Sequence, residues 1–383
     1  MIKILTIIGA RPQIIKAAAL SRAIKNSFSD KIQEKILHTG QHYDDNMSEV
    51  FFREMGIPSP NFNLQVGSGL HGKQTAKMIT GIEEVLLSEK FDVLVVFGDT
   101  NSTLAGAIAA AKIHVPIVHI EAGLRSYNMA MPEELNRILC DQLATILFSP
   151  TETGIKNLEK EGFFTSTAFF ADGRKRTVVN SGDIMYDNSM YFAEIAKKKS
   201  DILQRLDLKE FSYVLATIHR DNNTDNKERL SSIFEALLEI AEKDNIKVIL
   251  PLHPRTAKLL SSNLKFEIWN RLSKQPLLQL IPPASFFEMI VLEKNAKLVM
   301  TDSGGVQKEA YYFKRPCVIL RSETEWVEII EQGAGKLADA NKKQIISAYE
   351  SLVKESPEFP NIFGNGHAAE KILSKIVDEF QVK

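Results

Sequence analysis

KLVMTDSGGVQKEA, Lys297 to Ala310, joins a short apolar run to a helical pattern through a pair of glycines. Leu298 to Met300 is an apolar run that reads as a buried strand. The run breaks at Thr301-Asp302-Ser303-Gly304-Gly305, and a helical pattern starts at once. Paired glycines let a backbone come close to a ligand. The free N–H groups and positive dipole of the helix start then face that ligand and favour an anion. Glu309 lies further along the same helix, where a carboxylate can accept from hydroxyls. Anion and hydroxyls side by side suggest a ribose carrying phosphate. The plain alternative is an ordinary glycine-containing strand-to-helix turn.

The same strand-to-helix alternation extends in both directions. Ile2 to Ile8, Lys35 to His38, Val93 to Phe97 and Ile117 to Ile120 read as strands. Pro12 to Ile24, Asp44 to Met55, Ser102 to Lys112 and Glu133 to Leu143 read as the helices that follow them. After a polar stretch at Asp183 to Asn188 the pattern restarts. Tyr213 to Thr217, Val248 to Leu250, Leu277 to Ile281, Leu298 to Met300 and Cys317 to Leu320 are the later strands. This alternation predicts an α/β protein with two Rossmann-like, doubly wound parallel sheets and a cleft between them. The expected division is 1–185, 186–365, and a final segment 366–383 whose helix, Ala368 to Phe380, packs back across the join.

The totals narrow the function. A chain of 383 residues can bury two full cores. With 44 % hydrophobic residues, 25 % charged residues and net charge −1, the composition is that of a soluble globular protein. No basic stripe with interleaved aromatics points to nucleic acid. No run is long enough to span a membrane. Cys140 and Cys317 alone cannot form a disulfide framework or a zinc site, which fits a cytoplasmic location. MIKILTIIGA is short for a signal sequence, meets Arg11-Pro12, and reads better as a first buried strand.

Polar clusters fall at the carboxyl ends of these strands. Gly9-Ala10-Arg11-Pro12-Gln13, with Lys16 beyond it, follows the first strand. An arginine there can fork onto phosphate; otherwise the cations solvate a helix start. Gly67-Ser68-Gly69-Leu70-His71-Gly72-Lys73-Gln74 imitates a P-loop but carries Gln74 where magnesium needs Ser or Thr, so it reads as a glycine loop before the helix Thr75 to Glu89. Asp99, Glu121 and Glu133 stand at three neighbouring strand or helix ends. Singly, each is a cap or an ion-pair partner, and Glu133 has Arg137 four residues on. Together they look like acid/base equipment. In the second half, His219-Arg220 ends a strand and suits an anion, or His219 is a satisfied structural histidine. His253 is a weaker candidate, and His38, His42, His114 and His367 lack metal-ligand spacing.

GARPQIIKAAAL, HTGQHYD, VFGDTNSTLAGAIAA, HIEAGLRS, MPEELNR, LFSPTE, the His219-Arg220 pair and TDSGGVQKEA occur in this order along nearly the whole chain. In these motifs the sequence resembles the non-hydrolysing UDP-N-acetylglucosamine 2-epimerases. The resemblance implies the GT-B arrangement of two Rossmann-like domains. It implies a UDP-sugar substrate held by Arg11, Lys16, His219, Ser303, Gly304, Gly305 and Glu309, with Glu309 on the ribose. It implies chemistry at Asp99, Glu121, Glu133 and His219, with Arg137 completing the helix motif. It further implies a homodimer and a place in bacterial surface polysaccharide precursor synthesis.

The implied reaction is inversion at C2 of UDP-GlcNAc to UDP-ManNAc, or the same reaction on UDP-2,3-diacetamido-2,3-dideoxy-glucuronate. HRDNNTD, SETEWVE and Gln13 resemble the latter subgroup. Asp44 stands where some members carry a Gln of an activating substrate site, so activation by UDP-GlcNAc is not expected. The C2–H of such a sugar is not next to a carbonyl, so no enolate can form. Oxidation by NAD would need a dinucleotide fingerprint, which this sequence lacks. Elimination of UDP to a glycal, followed by re-addition, needs carboxylates near the sugar and donors on the diphosphate, with neither metal nor organic cofactor. The rival classes are a GT-B glycosyltransferase and a silent UDP-sugar sensor.

Overall fold

The computed structural model describes residues 1–40, 56–165, 170–171, 173–252 and 254–381. The expected helix Asp44 to Met55, with Asp44 itself, and also His42 and His253, lie outside the described residues.

Two parallel sheets are present. The first contains β1 (Ile2–Ile8), β2 (Ile32–His38), β3 (Phe62–Asn63), β4 (Val93–Phe97), β5 (Ile117–Ile120), β6 (Ile146–Ser149) and β7 (Thr177–Asn180). Its order is β3-β2-β1-β4-β5-β6-β7. The second contains β8 (Tyr213–Thr217), β9 (Lys247–Pro251), β10 (Leu278–Ile281), β11 (Leu298–Thr301), β12 (Cys317–Ile319) and β13 (Gly335–Leu337), in the order β10-β9-β8-β11-β12-β13. Each order reverses direction once, between β1 and β4 and between β8 and β11. A crevice opens at the carboxyl ends of strands at such a reversal. The doubly wound α/β reading is therefore correct.

The strands form where the sequence is apolar on both faces. All five residues of β4 are buried, as a strand covered by helices on each side requires. The helix Asn101–Lys112 starts under the Thr100 side chain, whose Oγ1 accepts from the Thr103 N–H at 3.3 Å. Ala105, Ala107, Ala109 and Ala110 are buried, and a Cβ on Gly106 would lie 3.1 Å from Val96 and 3.3 Å from Ile7. Small side chains thus let this helix lie close on β1 and β4. In the second sheet, Val214, Ala216, Val248, Leu250, Leu298 and Met300 face helix residues such as Phe234, Leu237 and Ile345 in one core.

Four strands went unforeseen. β3 and β13 are only two and three residues long, the latter beginning on Gly335. β6 follows the helix Pro132–Leu143 after a two-residue break, so its apolar run merges with that of the helix. β7 is half-buried throughout and lies at the sheet edge.

The chain forms two compact units, 1–188 with 362–383, and 189–361. Within the first, the helix Ala368–Phe380 packs against the helix Arg11–Ala23. Cys140 and Cys317 are free and buried. No described helix is long and apolar enough to cross a membrane.

Candidate active site

In the first unit, β4 is followed by Gly98 at φ +60° and β5 by Glu121 at φ +75°. A non-glycine residue in the left-handed region is strained, by roughly 1–3 kcal/mol. Glu121 is held there because its own N–H and that of Ala122 both donate to the Phe148 carbonyl at 3.0 Å. Its carboxylate pairs with Lys16, and both side chains are nearly buried. A Cβ on Gly98 would lie 3.2 Å from both charged atoms of that pair. Asp99 accepts from Arg137 at 2.5 Å. Asp99 and Glu121 therefore each face a cation.

Arg137 does not pair with Glu133. Its second nitrogen donates to the fully buried Glu134 at 2.7 Å, and Glu133 is exposed on the first turn of the helix Pro132–Leu143. Glu134 also accepts from the N–H groups of Ser126 and Tyr127 at 2.8–3.0 Å. Burial alone would raise its carboxyl pKa; these donors and Arg137 outweigh it and hold the pKa below the usual range. Pairing within the helix thus goes to the inward residue three back, which packs against the loop, rather than to the outward one four back.

Three further residues order these turns. Asn136 donates to the Asp99 carbonyl at 2.8 Å. His119, fully buried, faces the Gly98 carbonyl through Nε2 at 2.8 Å and Asp141 through Nδ1 at 2.7 Å. Asp141 also pairs with Arg125 at 2.7 Å. Burial would raise the Asp141 carboxyl; His119 and Arg125 hold it down. Arg11 is exposed at its helix start. Gln13 is buried, and its Oε1 accepts from the N–H groups of Gly9 and Ala10 at 2.9 and 3.2 Å. Its Nε2 donates to the Phe97 carbonyl and Thr103 at 3.0 and 2.9 Å. An ionised carboxylate could not donate to the Phe97 carbonyl, so this bond needs the amide of Gln13. Gln74, in the P-loop look-alike, ties the loop together by donating to the Gly67 carbonyl at 2.8 Å.

In the second unit, Asp302 at the end of β11 is fully buried and gathers the loop after β8. It accepts from the N–H groups of His219 and Arg220 at 3.1 Å, from Asn223 at 3.1 Å, and meets His219 Nδ1 at 2.9 Å. Burial would raise its pKa, and these donors lower it on balance. The His219 ring thereby carries its proton on Nδ1 toward Asp302, leaving Nε2 for a ligand. Ser303 caps the helix Gly304–Tyr312, accepting from the Val306 N–H at 3.4 Å, and Glu309 is half-buried on that helix. His219, Ser303, Gly304 and Gly305 are thus brought to one switch point. Asn223 belongs to the same internal network, so HRDNNTD also has a structural reason. Asp302, Asn223, His119, Asn136 and Glu134 were not singled out from the sequence, although all five lie within motifs quoted there.

Comparison with known proteins agrees with this architecture. The family model for UDP-N-acetylglucosamine 2-epimerase matches residues 24–377. A UDP-2,3-diacetamido-2,3-dideoxy-D-glucuronate 2-epimerase of Pseudomonas aeruginosa is 48 % identical, over 97 % of this chain and 98 % of its own. A UDP-N-acetylglucosamine 2-epimerase homolog of Methanococcus maripaludis is 46 % identical over the same shares. The crystal structure of Methanocaldococcus jannaschii UDP-GlcNAc 2-epimerase in complex with UDP-GlcNAc and UDP superposes with TM-score 0.81 at 40 % identity, covering 98 % of this chain and 100 % of that one. By family match, identity and shared fold alike, the chain belongs to the UDP-N-acetylglucosamine 2-epimerase family of isomerases.

Proposed function

We propose that the chain inverts C2 of a UDP-2-acetamido sugar by eliminating UDP to a glycal and adding it back to the opposite face. Asp99, Glu121 and Glu133 move the protons at C2. Lys16 is the counter-ion of Glu121, a carboxylate that must start ionised to accept a proton. Arg11, His219 and the N–H groups of Ser303 to Gly305 stabilise the departing diphosphate, and Glu309 accepts from the ribose. The observation that carries this reading is the pair of carboxylate–cation contacts, Glu121 with Lys16 and Asp99 with Arg137, at the turns after β5 and β4. A glycosyltransferase needs one base and an acceptor groove, and a silent sensor needs neither pair.

Two sugars fit the family: UDP-GlcNAc and the 3-acetamido uronate. SETEWVE and the name of the Pseudomonas relative support the uronate. Faster turnover of the uronate than of UDP-GlcNAc at saturation is expected. The test is incubation of each sugar alone in D2O, with NMR at C2. Deuterium at C2 with trace glycal and free UDP is the expected result. A sugar that turns over without C2 exchange would refute the elimination.

A further inference from the structure

Arg321 and Glu325 have no part in the roles given above, yet they lie against the helix start assigned to UDP. Arg321 Nη1 and Nη2 donate to the two Glu325 oxygens at 2.9 and 3.0 Å. The side chains are only 10 % and 20 % exposed. A Cβ on Gly304 would lie 3.5 Å from Glu325 Oε2, 3.6 Å from Trp326 Nε1 and 3.9 Å from Arg321 Nη1. The first residue of the helix Gly304–Tyr312 therefore has a carboxylate and a guanidinium beside it. Burial would raise the Glu325 carboxyl, but Arg321 and then Arg220 hold it below the usual range, so it sits there as an anion. A second feature shares this seam. Gln307, fully buried on the same helix, accepts from Thr324 at 2.6 Å, while its Nε2 has no acceptor.

Burying an ion pair is expensive compared with apolar packing, so its presence asks for a reason. A helix start that favours anions has the protein's own carboxylate close beside its first residue. The cation beside it has the planar fork that suits phosphate as well as carboxylate.

We propose that Arg321 is a diphosphate-binding residue and that Glu325 is the resident anion it gives up. When the diphosphate of a UDP-sugar reaches the Gly304 N–H, the guanidinium passes from the carboxylate to a phosphate oxygen. Glu325 competes with the diphosphate for both the cation and the helix start. UDP is then held firmly enough to stay through the glycal stage, yet not so firmly that its re-addition is blocked. This inference rests on the placing of UDP at Ser303 to Gly305 in the proposed function.

The test titrates UDP and uridine into the native protein and into Arg321→Gln, Glu325→Gln and Glu309→Ala. Arg321→Gln should weaken UDP roughly 10- to 100-fold, the scale of a lost charge-assisted hydrogen bond, and leave uridine unchanged. Glu325→Gln should tighten UDP, because a neutral amide no longer competes, and again spare uridine. UDP affinity unmoved by Arg321→Gln, or uridine weakened in step with UDP, overturns the inference. So does UDP affinity that fails to rise in Glu325→Gln. If Arg321→Gln does not give a cooperative melt, Glu325→Gln decides by the same sign. Glu309→Ala separates the two levels. UDP weakened there while Arg321→Gln is silent removes only the inference. UDP unmoved by Glu309→Ala removes the placing of UDP on which it stands.

Discussion

Asp99 and Glu121 are held in different ways, and that difference shapes what their amide variants should do. Glu121 is fixed by strained backbone and by Lys16; Asp99 is fixed by Arg137 and by Asn136 on its carbonyl. Glu133 is exposed and has no such frame. If all three move protons, Asp99→Asn, Glu121→Gln and Glu133→Gln should each lose about 100- to 10,000-fold in turnover while UDP still binds. Glu121→Gln should also lower the melting temperature, because it leaves Lys16 facing an amide; Glu133→Gln should not. Near-normal turnover in all three would refute the assignment, whatever the melting curves showed. For UDP, Glu309→Ala should weaken binding by about 1–3 kcal/mol, the cost of leaving ribose hydroxyls unpaired, as calorimetry would read. At this scale the sequence revealed residue types at strand ends but not their partners. Glu134, Arg137 and Asp141 lie at helical spacing on the buried face of Pro132–Leu143. Charge on a face that should be apolar was the available signal, and only the packing of the 126–127 loop and of His119 shows which cation goes where.

The elements that place these groups are the turns after β4 and β5, and Gly98 is their narrowest point. At φ +60° any Cβ costs roughly 1–2 kcal/mol, and here it would press on the Lys16–Glu121 pair at 3.2 Å. Gly98→Ala is expected to lower stability by about that amount and to reduce turnover by disturbing the pair. Unchanged rate with a lowered melting temperature would mean that the turn, and not the pair, feels the substitution. The longer elements were legible because period and punctuation agreed: β1, β4, β5, β8 and the helix Ala368–Phe380 have the bounds read from the sequence. β6 was lost because an apolar helix end runs almost directly into an apolar strand, and periodicity cannot divide so short a run. Gln13 shows what a sequence pattern leaves out. It makes four internal bonds that join the first βα turn to β4 and its following helix.

At the scale of the whole chain, the last helix belongs to the first unit, although 173 residues of the second stand between, from Ser189 to Asn361. Its apolar face, Ile372, Leu373, Ile376, Val377 and Phe380, is buried. Asp187 closes the loop: its carboxylate accepts from the N–H groups of Ala368 and Ala369 at 3.1 and 2.8 Å. Desolvation raises the Asp187 pKa to about 6, against the two cap bonds that lower it, with Glu370 and Asp183 adding to the rise. The sign of the consequence follows from proton binding. Between pH 4 and 6 the unfolded chain has released this proton and the folded chain keeps it, so this group's contribution to stability falls as pH rises through that window. Below it both states are protonated, and above it both are ionised, with the folded state bearing the desolvation cost in full. Asp187→Asn is neutral at every pH. Its loss of one acceptor oxygen is a constant offset, while the charge cost disappears. The melting temperature of the variant minus that of the native protein should therefore climb from pH 4 to pH 6 and then level. A difference that is flat, or that falls across the window, would show that the cap bonds and not desolvation govern this carboxylate.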